Sequence, residues 1–547
     1  MRCLPYSFAR RTVAFFALAA FAGCAHRQNT QPAPTRAEQR ASLIYAANLH
    51  QGPETLRAFL SDFPKGADLH VHLSGAVYAE TFIRDAGEDG LCVDPAALSF
   101  VKPPCAGKLV PAKSLSGNIT SANQALYDKL IDSFSLRSYV PTPGGWSEHD
   151  QFFATFAKFG GLSVSHIGEW VDEIAVRSAE QNQQYLELMD TPTFDRARQS
   201  ASAVGWNPQL AAADPQAFAR FRQQLLDRGL RGEVDADRNE VRDAEAHRKQ
   251  LEHCGTAQAT PACDVEIRYI YQVLRGFPPE QVFAQSLLGF ETVQASMNAH
   301  DDTWVGLNFV MPEDGLISMR DYTLQMKMLD YLHSVYPQVH ITLHAGELAE
   351  GLVPPEGLRF HIRQAVELGH AERIGHGVDI MHEDDARGLL QELADRHIMI
   401  EINLSSNEGI LGIEGGHHPF PIYRSAHVPV ALSTDDEGVS RIDLTHEYVR
   451  AALDYDLTYR DLKQLARTGM EHDFLPGDSL WARPDNFAVP VSACRSQTLG
   501  GDDPSPDCKA FLASSEKAAA QWELERRFTA FESRFQGAGF DRLLPRQ

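Results

Sequence analysis

Two histidines, His70 and His72, stand two positions apart at the end of a short apolar run, in "PKGADLHVHLSGAVYAET". Alternate side chains of a strand share a face, so both imidazoles point the same way. Ionisable residues recur at or near the ends of later apolar runs: His344 and Glu347 in "HAGE", His376 in "RIGHG", Asp435 and Asp436 in "STDDE". Singly these are ordinary. A strand histidine is usually a satisfied core residue, and "DD" usually a turn or a helix cap. Together, three imidazoles and a carboxylate make a nitrogen-rich donor set suited to zinc, with a position left for water. Zinc brings the pKa of that water towards ~7. Glu347 can sit beside the metal without binding it and move a proton to the substrate, and His376 can hold or deprotonate the attacking water. Adjacent aspartates point apart, so Asp435 and Asp436 have different jobs. The remaining histidines, including His149, His333, His361, His370 and His397, read as structural. "HHPF" (417–420) reads as a loop element lining the mouth of the site.

Such residues, up to 366 positions apart in the chain, need a fold that gathers strand ends. Eight candidate strands occupy 67–73, 184–190, 265–275, 304–310, 339–347, 373–378, 398–407 and 428–437, with amphipathic helical patterns such as "MRDYTLQMKMLDYLHSVY" between them. Alternating strands and helices point to a parallel sheet. Eight units predict an α/β TIM (β/α)8 barrel, whose strand ends converge on one mouth. A doubly wound open sheet is the alternative, but no Gly-rich fingerprint follows the first strand. The uneven spacing predicts insertions near 85–120 and 191–263. A helical N-terminal segment spans 36–63, the barrel 64–475, and a helical C-terminal extension 476–547.

The formal charge of −23 argues against a nucleic-acid partner and favours a small neutral or weakly basic molecule. Arg10 and Arg11 precede an apolar run too short to span a bilayer, so 1–23 reads as a signal peptide. "FAGC" resembles a bacterial lipobox, which makes Cys24 a lipidation site, and 24–35 reads as a tether. The expectation is an exported lipoprotein of the outer membrane, periplasm or exterior, touching the membrane only through that anchor. The six remaining cysteines fall into sequence-local pairs, Cys92 with Cys105, Cys254 with Cys263 and Cys494 with Cys508, and local disulfides are the simplest reading in an oxidising compartment.

Through "PKGADLHVHLSGA", "HAGE", "RIGHG", "SSN" and "STDDE", spanning 64 to about 440, the chain resembles the adenosine deaminase family of metal-dependent amidohydrolases. Its signal, N-terminal segment and cysteine-bearing insertion look most like the secreted, growth-factor-related branch. The resemblance implies one zinc ion per chain, bound by His70, His72, His344 and Asp435. Glu347 would protonate purine N1, His376 would orient the attacking hydroxide, and Asp436 would hydrogen-bond the purine. The implied reaction turns adenosine or 2'-deoxyadenosine into inosine or deoxyinosine plus ammonia. Another aminopurine substrate, or a partner-binding protein with incidental catalysis, is the alternative. The branch also implies a homodimer formed through the N-terminal helices. Three positions depart from the family pattern: Ser74 replaces an acid that contacts the ribose, Met311 replaces a glycine at the purine, and Glu437 replaces a proline after the aspartates. The fourth strand carries no lysine to bridge two metals, which favours a mononuclear site.

Overall fold

The computed structural model describes residues 33–117, 120–137, 139–140, 146–301 and 303–536. The expected signal and Cys24 lie outside them. Eight strands form one parallel sheet in chain order: β1 Gly66–His72, β2 Gln183–Asp190, β3 Glu266–Leu274, β4 Trp304–Val310, β5 His340–Ala345, β6 Arg373–His376, β7 Met399–Ile402 and β8 Val430–Leu432. β1, β2 and β4 are buried along their whole length, as expected of strands covered on both faces. Beyond β8, Asp435 N–H donates to His70 O (2.8 Å), His72 N–H donates to Asp435 O (3.2 Å), and Val71 bridges Asp435 in parallel. These contacts bring the last strand back to the first and nearly close the barrel.

The seventh and eighth strands fall furthest short of expectation. The seventh was expected to run to 407, but it ends at Ile402 and the chain turns at Asn403 into the helix Leu404–Leu411. That turn swings Ser406 and Asn407 back over the barrel mouth. The eighth is only three residues long, and the stretch that follows it carries the paired aspartates.

A buried ion-pair network crosses the lower barrel interior. Arg373 donates to Glu187 (2.5 Å) and to Glu401 (2.7 Å), all three side chains being buried. Thr342 donates to the same Glu401 oxygen (2.9 Å). Burial opposes the charge on Glu401, but Arg373 and His70 outweigh it and hold its pKa down to about 2.

At the N-terminal side, α1 (Arg36–Gln51) and α2 (Pro53–Leu60) are capped by Thr35 and opened by Pro53. Tyr45 and Phe59 pack on Tyr459, Phe531 and Phe535, so the aromatic faces of both helices close against the C-terminal helix Glu516–Ser533 and its neighbour. The first insertion is an antiparallel ribbon of Cys92–Asp94, Ser99–Val101 and Val110–Pro111, followed by the helices Gln124–Ser133 and Glu148–Phe156. The second comprises helices of which Val234–Leu251 is the longest. Disulfides join Cys92 to Cys105, Cys254 to Cys263 and Cys494 to Cys508. Among the described residues no helix is long and apolar enough to cross a membrane.

Candidate metal centre

β1, β5 and the stretch after β8 bring His70, His72, His344 and Asp435 together at the mouth. His344 Nε2 lies 3.1 Å from His70 Nε2 and 3.2 Å from His72 Nε2. Asp435 Oδ1 lies 3.1 Å from His72 Nε2 and 3.6 Å from His70 Nε2. A tetrahedral zinc with bonds of ~2.0–2.1 Å needs ligand atoms ~3.3–3.4 Å apart. These four separations fall within about 0.3 Å of that spacing, and the donor set fits one mononuclear zinc. His376 borders the same centre: the ligand atoms of His70, His344, His376 and Asp435 are mutually close, and those of His72, Asp435 and Asp436 form an overlapping group.

Each of the four has a dedicated neighbour. His70 Nδ1 meets Glu401 Oε2 at 2.6 Å. His344 Nδ1 meets Asn308 Oδ1 at 2.9 Å, and that oxygen also accepts the His344 main-chain N–H at 3.0 Å. His72 Nδ1 lies 2.8 Å from the Gln272 amide, whose other end meets the Thr191 hydroxyl at 3.2 Å. A hydroxyl gives or takes a hydrogen bond, so this amide can turn its oxygen to His72. Ser406 donates to Asp435 Oδ2 at 2.6 Å. Partners of this kind set ring orientation and leave Nε2 for the metal. Burial works against the charge on Asp435, but the adjoining His70, His72 and His376 imidazoles hold it well below the usual carboxylate range.

Glu347, His376 and Asp436 stand around this centre. Glu347 follows β5, and its Oε1 lies 3.7 Å from His376 Nδ1. Burial, then the charges of Asp435 and Glu313, push the Glu347 carboxyl well above its usual range. Its loop is fixed by Glu313, which accepts the N–H groups of Gly346 (3.0 Å) and Glu347 (2.8 Å) and pairs with His361 Nδ1 at 2.5 Å. His361 thus supports the acid loop; it also stacks on Tyr322 at 3.7 Å. His376 Nε2 and Asp436 Oδ1 are buried without a hydrogen-bond partner among the described residues. Burial and the neighbouring Asp435 charge push Asp436 well above the usual carboxylate range. Positive φ at His376 (70°) and Asp435 (61°) turns the chain sharply as it leaves each strand, at a cost of ~1–3 kcal/mol each that the surroundings must hold.

The three departing positions lie around the rim. Ser74 is exposed on the short turn Leu73–Ala76, outside the buried cluster. In that turn Gly75 makes room for Asp436: a Cβ there would sit 1.4 Å from Asp436 Oδ1. Met311 has φ 89° and is 39% exposed. Its side chain lies over Gly276, where a Cβ would come within 2.8 Å of Met311 Cε. Glu437 accepts from Arg177 at 2.7 Å, and Arg177 also donates to Ala76 O (2.7 Å) and covers the Tyr78 ring. The pair ties the end of β8 to the turn that carries Ser74.

Seven sequence-singled residues therefore meet: His70, His72, His344, His376, Glu347, Asp435 and Asp436. Glu401, Gln272, Asn308, Ser406, Glu313 and His361 were not singled out. The signal for Glu401 was a carboxylate inside the apolar run "IMIEI", and Ser406 stands in the quoted "SSN"; the others are ordinary residue types with no local mark.

Residues 248–482 match the family model described as adenosine deaminase. Over 151 residues the chain is 38% identical to the adenosine deaminase of Escherichia coli (strain SMS-3-5 / SECEC), which is 27% of this chain and 42% of that relative. The chain thus spans less than half the length of the curated relatives it matches. Solved structures similar to it include the N6-methyl-AMP deaminase from Arabidopsis thaliana, at 19% identity and a TM-score of 0.49, covering 77% of this chain and 94% of that one. An adenine deaminase from Arthrobacter aurescens is similar at 15% identity and a TM-score of 0.47, covering 76% and 94%.

Proposed function

We propose that this chain, an adenosine/adenine deaminase-like member of the amidohydrolase superfamily, hydrolytically deaminates an aminopurine, with adenosine or 2'-deoxyadenosine as substrate. The observation that carries the reading is the close approach of the His70, His72 and His344 imidazoles and Asp435, with Glu347 buried beside His376 next to them. One zinc ion, when bound by His70, His72, His344 and Asp435, supplies a Lewis acid that makes hydroxide available near neutral pH.

The chain's own groups do the rest. Glu347 gives its proton to purine N1, drawing electrons from C6. His376 orients the attacking oxygen, and Asp436 hydrogen-bonds the ring. The oxygen bonds to C6, the bond from C6 to the exocyclic nitrogen breaks, and ammonia leaves. Water and an aminopurine give an oxopurine and ammonia, so the balance closes.

Adenine or a modified adenosine is the second reading, because Ser74, exposed at the rim, supplies no acid for a ribose. The test is loss of the aminopurine ultraviolet spectrum with adenosine, deoxyadenosine and adenine, with and without chelator. Zinc-loaded protein that turns over none of them sinks the proposal. Glu347→Gln should lower kcat by about 10²–10⁴-fold while leaving zinc bound; loss of zinc instead would reassign Glu347. Export, lipidation of Cys24 and kinship to the secreted branch belong to this proposal too, resting on the N-terminal sequence. A homodimer through 36–63 would have to use the outer face of those helices, where Leu43 is exposed.

A further inference from the structure

A neutral imidazole carries one proton, and its position decides whether His376 meets the attacking oxygen as donor or acceptor. His376 Nδ1 faces the helix Leu404–Leu411, with Asn407 Nδ2 at 2.9 Å and Asn403 Nδ2 at 3.4 Å. An amide can present either end, so this contact alone does not choose. The choice is made one residue further out, by His418 of the "HHPF" loop. His418 Nδ1 lies 3.1 Å from the Phe420 main-chain N–H, and His418 Nε2 lies 3.0 Å from Asn407 Oδ1. A main-chain N–H only donates, so His418 Nδ1 must accept. Its proton then sits on Nε2 and is given to Asn407 Oδ1. Asn407 is thereby turned with its NH2 group towards His376, whose Nδ1 must accept in turn. The His376 proton is left on Nε2, the buried atom without a partner that faces the cleft.

We propose that His418 is a positioning residue for the reaction proposed above: acting through Asn407, it fixes the proton of His376 on Nε2, so that His376 meets the attacking water as a hydrogen-bond donor and does not ligate the metal. His70 and His344 are set the other way. Their Nδ1 atoms meet Glu401 and an Asn308 oxygen already committed as an acceptor, which leaves Nε2 lone pairs for the centre. The same relay therefore sets His376 apart from the ligands and favours the set with His72. His418 is 2% exposed, and burial pushes its pKa down to about 3, which keeps Nδ1 free to accept at working pH.

The test uses the full chain with 15N-labelled histidine. Long-range 1H–15N spectra distinguish the two neutral tautomers, and His376→Gln assigns the resonance. Wild-type protein should show His376 protonated on Nε2. Asn407→Asp, which can only accept, should move that proton to Nδ1. His418→Phe should lower kcat by about tenfold or more with KM and zinc content unchanged, and His418→Gln, which keeps a donor, should restore most of it. The proposal is overturned if the wild-type proton lies on Nδ1, or if His418→Phe keeps both tautomer and kcat. Should His418→Phe not fold, the wild-type and Asn407→Asp spectra decide. The spectra need no turnover, so a chain inactive on every aminopurine would sink the proposed function and leave this assignment to stand or fall on its own.

Discussion

The two sides of the cleft are built differently. On the metal side every ligand is gripped by one buried neighbour: His70 by Glu401, His344 by Asn308, His72 by Gln272 and Asp435 by Ser406. At the rim, Ser74 and Met311 are exposed and Glu437 is tied to a helix outside the barrel. A metal centre tolerates ligand errors of only about 0.2 Å, so its side of the cleft is held through the barrel interior. Recognition residues face no such demand. They can change if each change is absorbed locally, as Gly276 absorbs Met311 and Arg177 absorbs Glu437.

If that contrast is right, damage far below the metal should be severe. Arg373 is buried between Glu187 and Glu401, and Glu401 orients His70. Arg373→Met leaves two buried carboxylates without their cation and should cost about 3–5 kcal/mol, read as a lowered midpoint in denaturant. A midpoint equal to wild type would mean that the interior ladder does not support the barrel. Asn308→Ala is more focused. It removes the acceptor for His344 Nδ1 and should weaken zinc binding by about 10–100-fold, measured by competition with a chelator, with the apo fold intact.

The legibility of the chain follows the same division. His70, His72, His344 and Asp435 could be read because few residue types bind zinc and because strand ends collect them at one mouth. Their holders could not. Asn308 and Gln272 are ordinary residues inside strands, and only the pairing of β4 with β5 and the position of β3 bring them to a histidine. His418 looked like part of a loop, since its meaning lies in a contact with Asn407 that no spacing rule marks. The strands themselves were legible from their apolar runs, but the end of β7 was not. "IMIEINLSSN" keeps its apolar character past Ile402, and the turn at Asn403 is set by the helix that must carry Ser406 to Asp435.

On the rim, effects should be smaller and should appear in binding. Gly276→Ala places a Cβ against the flexible end of Met311 and displaces that side chain, not the strand. KM for the aminopurine should change by less than about tenfold, under ~1.4 kcal/mol, with kcat and zinc content kept. A fall in kcat with KM unchanged would show that Met311 reaches the reacting atoms and that the two sides are not independent.

The smallest effect concerns the helix Glu148–Phe156, which packs through Phe152 on Ile410 beside β7 and reaches the loop after β4 through His149. His149 Nε2 lies 3.4 Å from Asp314 Oδ1, with both side chains about one-fifth exposed. The hydrogen bond to Asp314, working against burial, raises the His149 pKa above its ordinary value. A raised folded-state value means that the strap is fully in place below the unfolded pKa of ~6.5 and is lost as pH climbs through the folded value. A pair this exposed is worth less than about 1 kcal/mol. KM should therefore drift by no more than a few-fold between slightly acidic and alkaline pH, and Asp314→Asn should flatten that drift. If Asp314→Asn keeps the wild-type pH profile, the strap plays no part in holding the rim, and whatever drift remains belongs to the buried acids of the metal side.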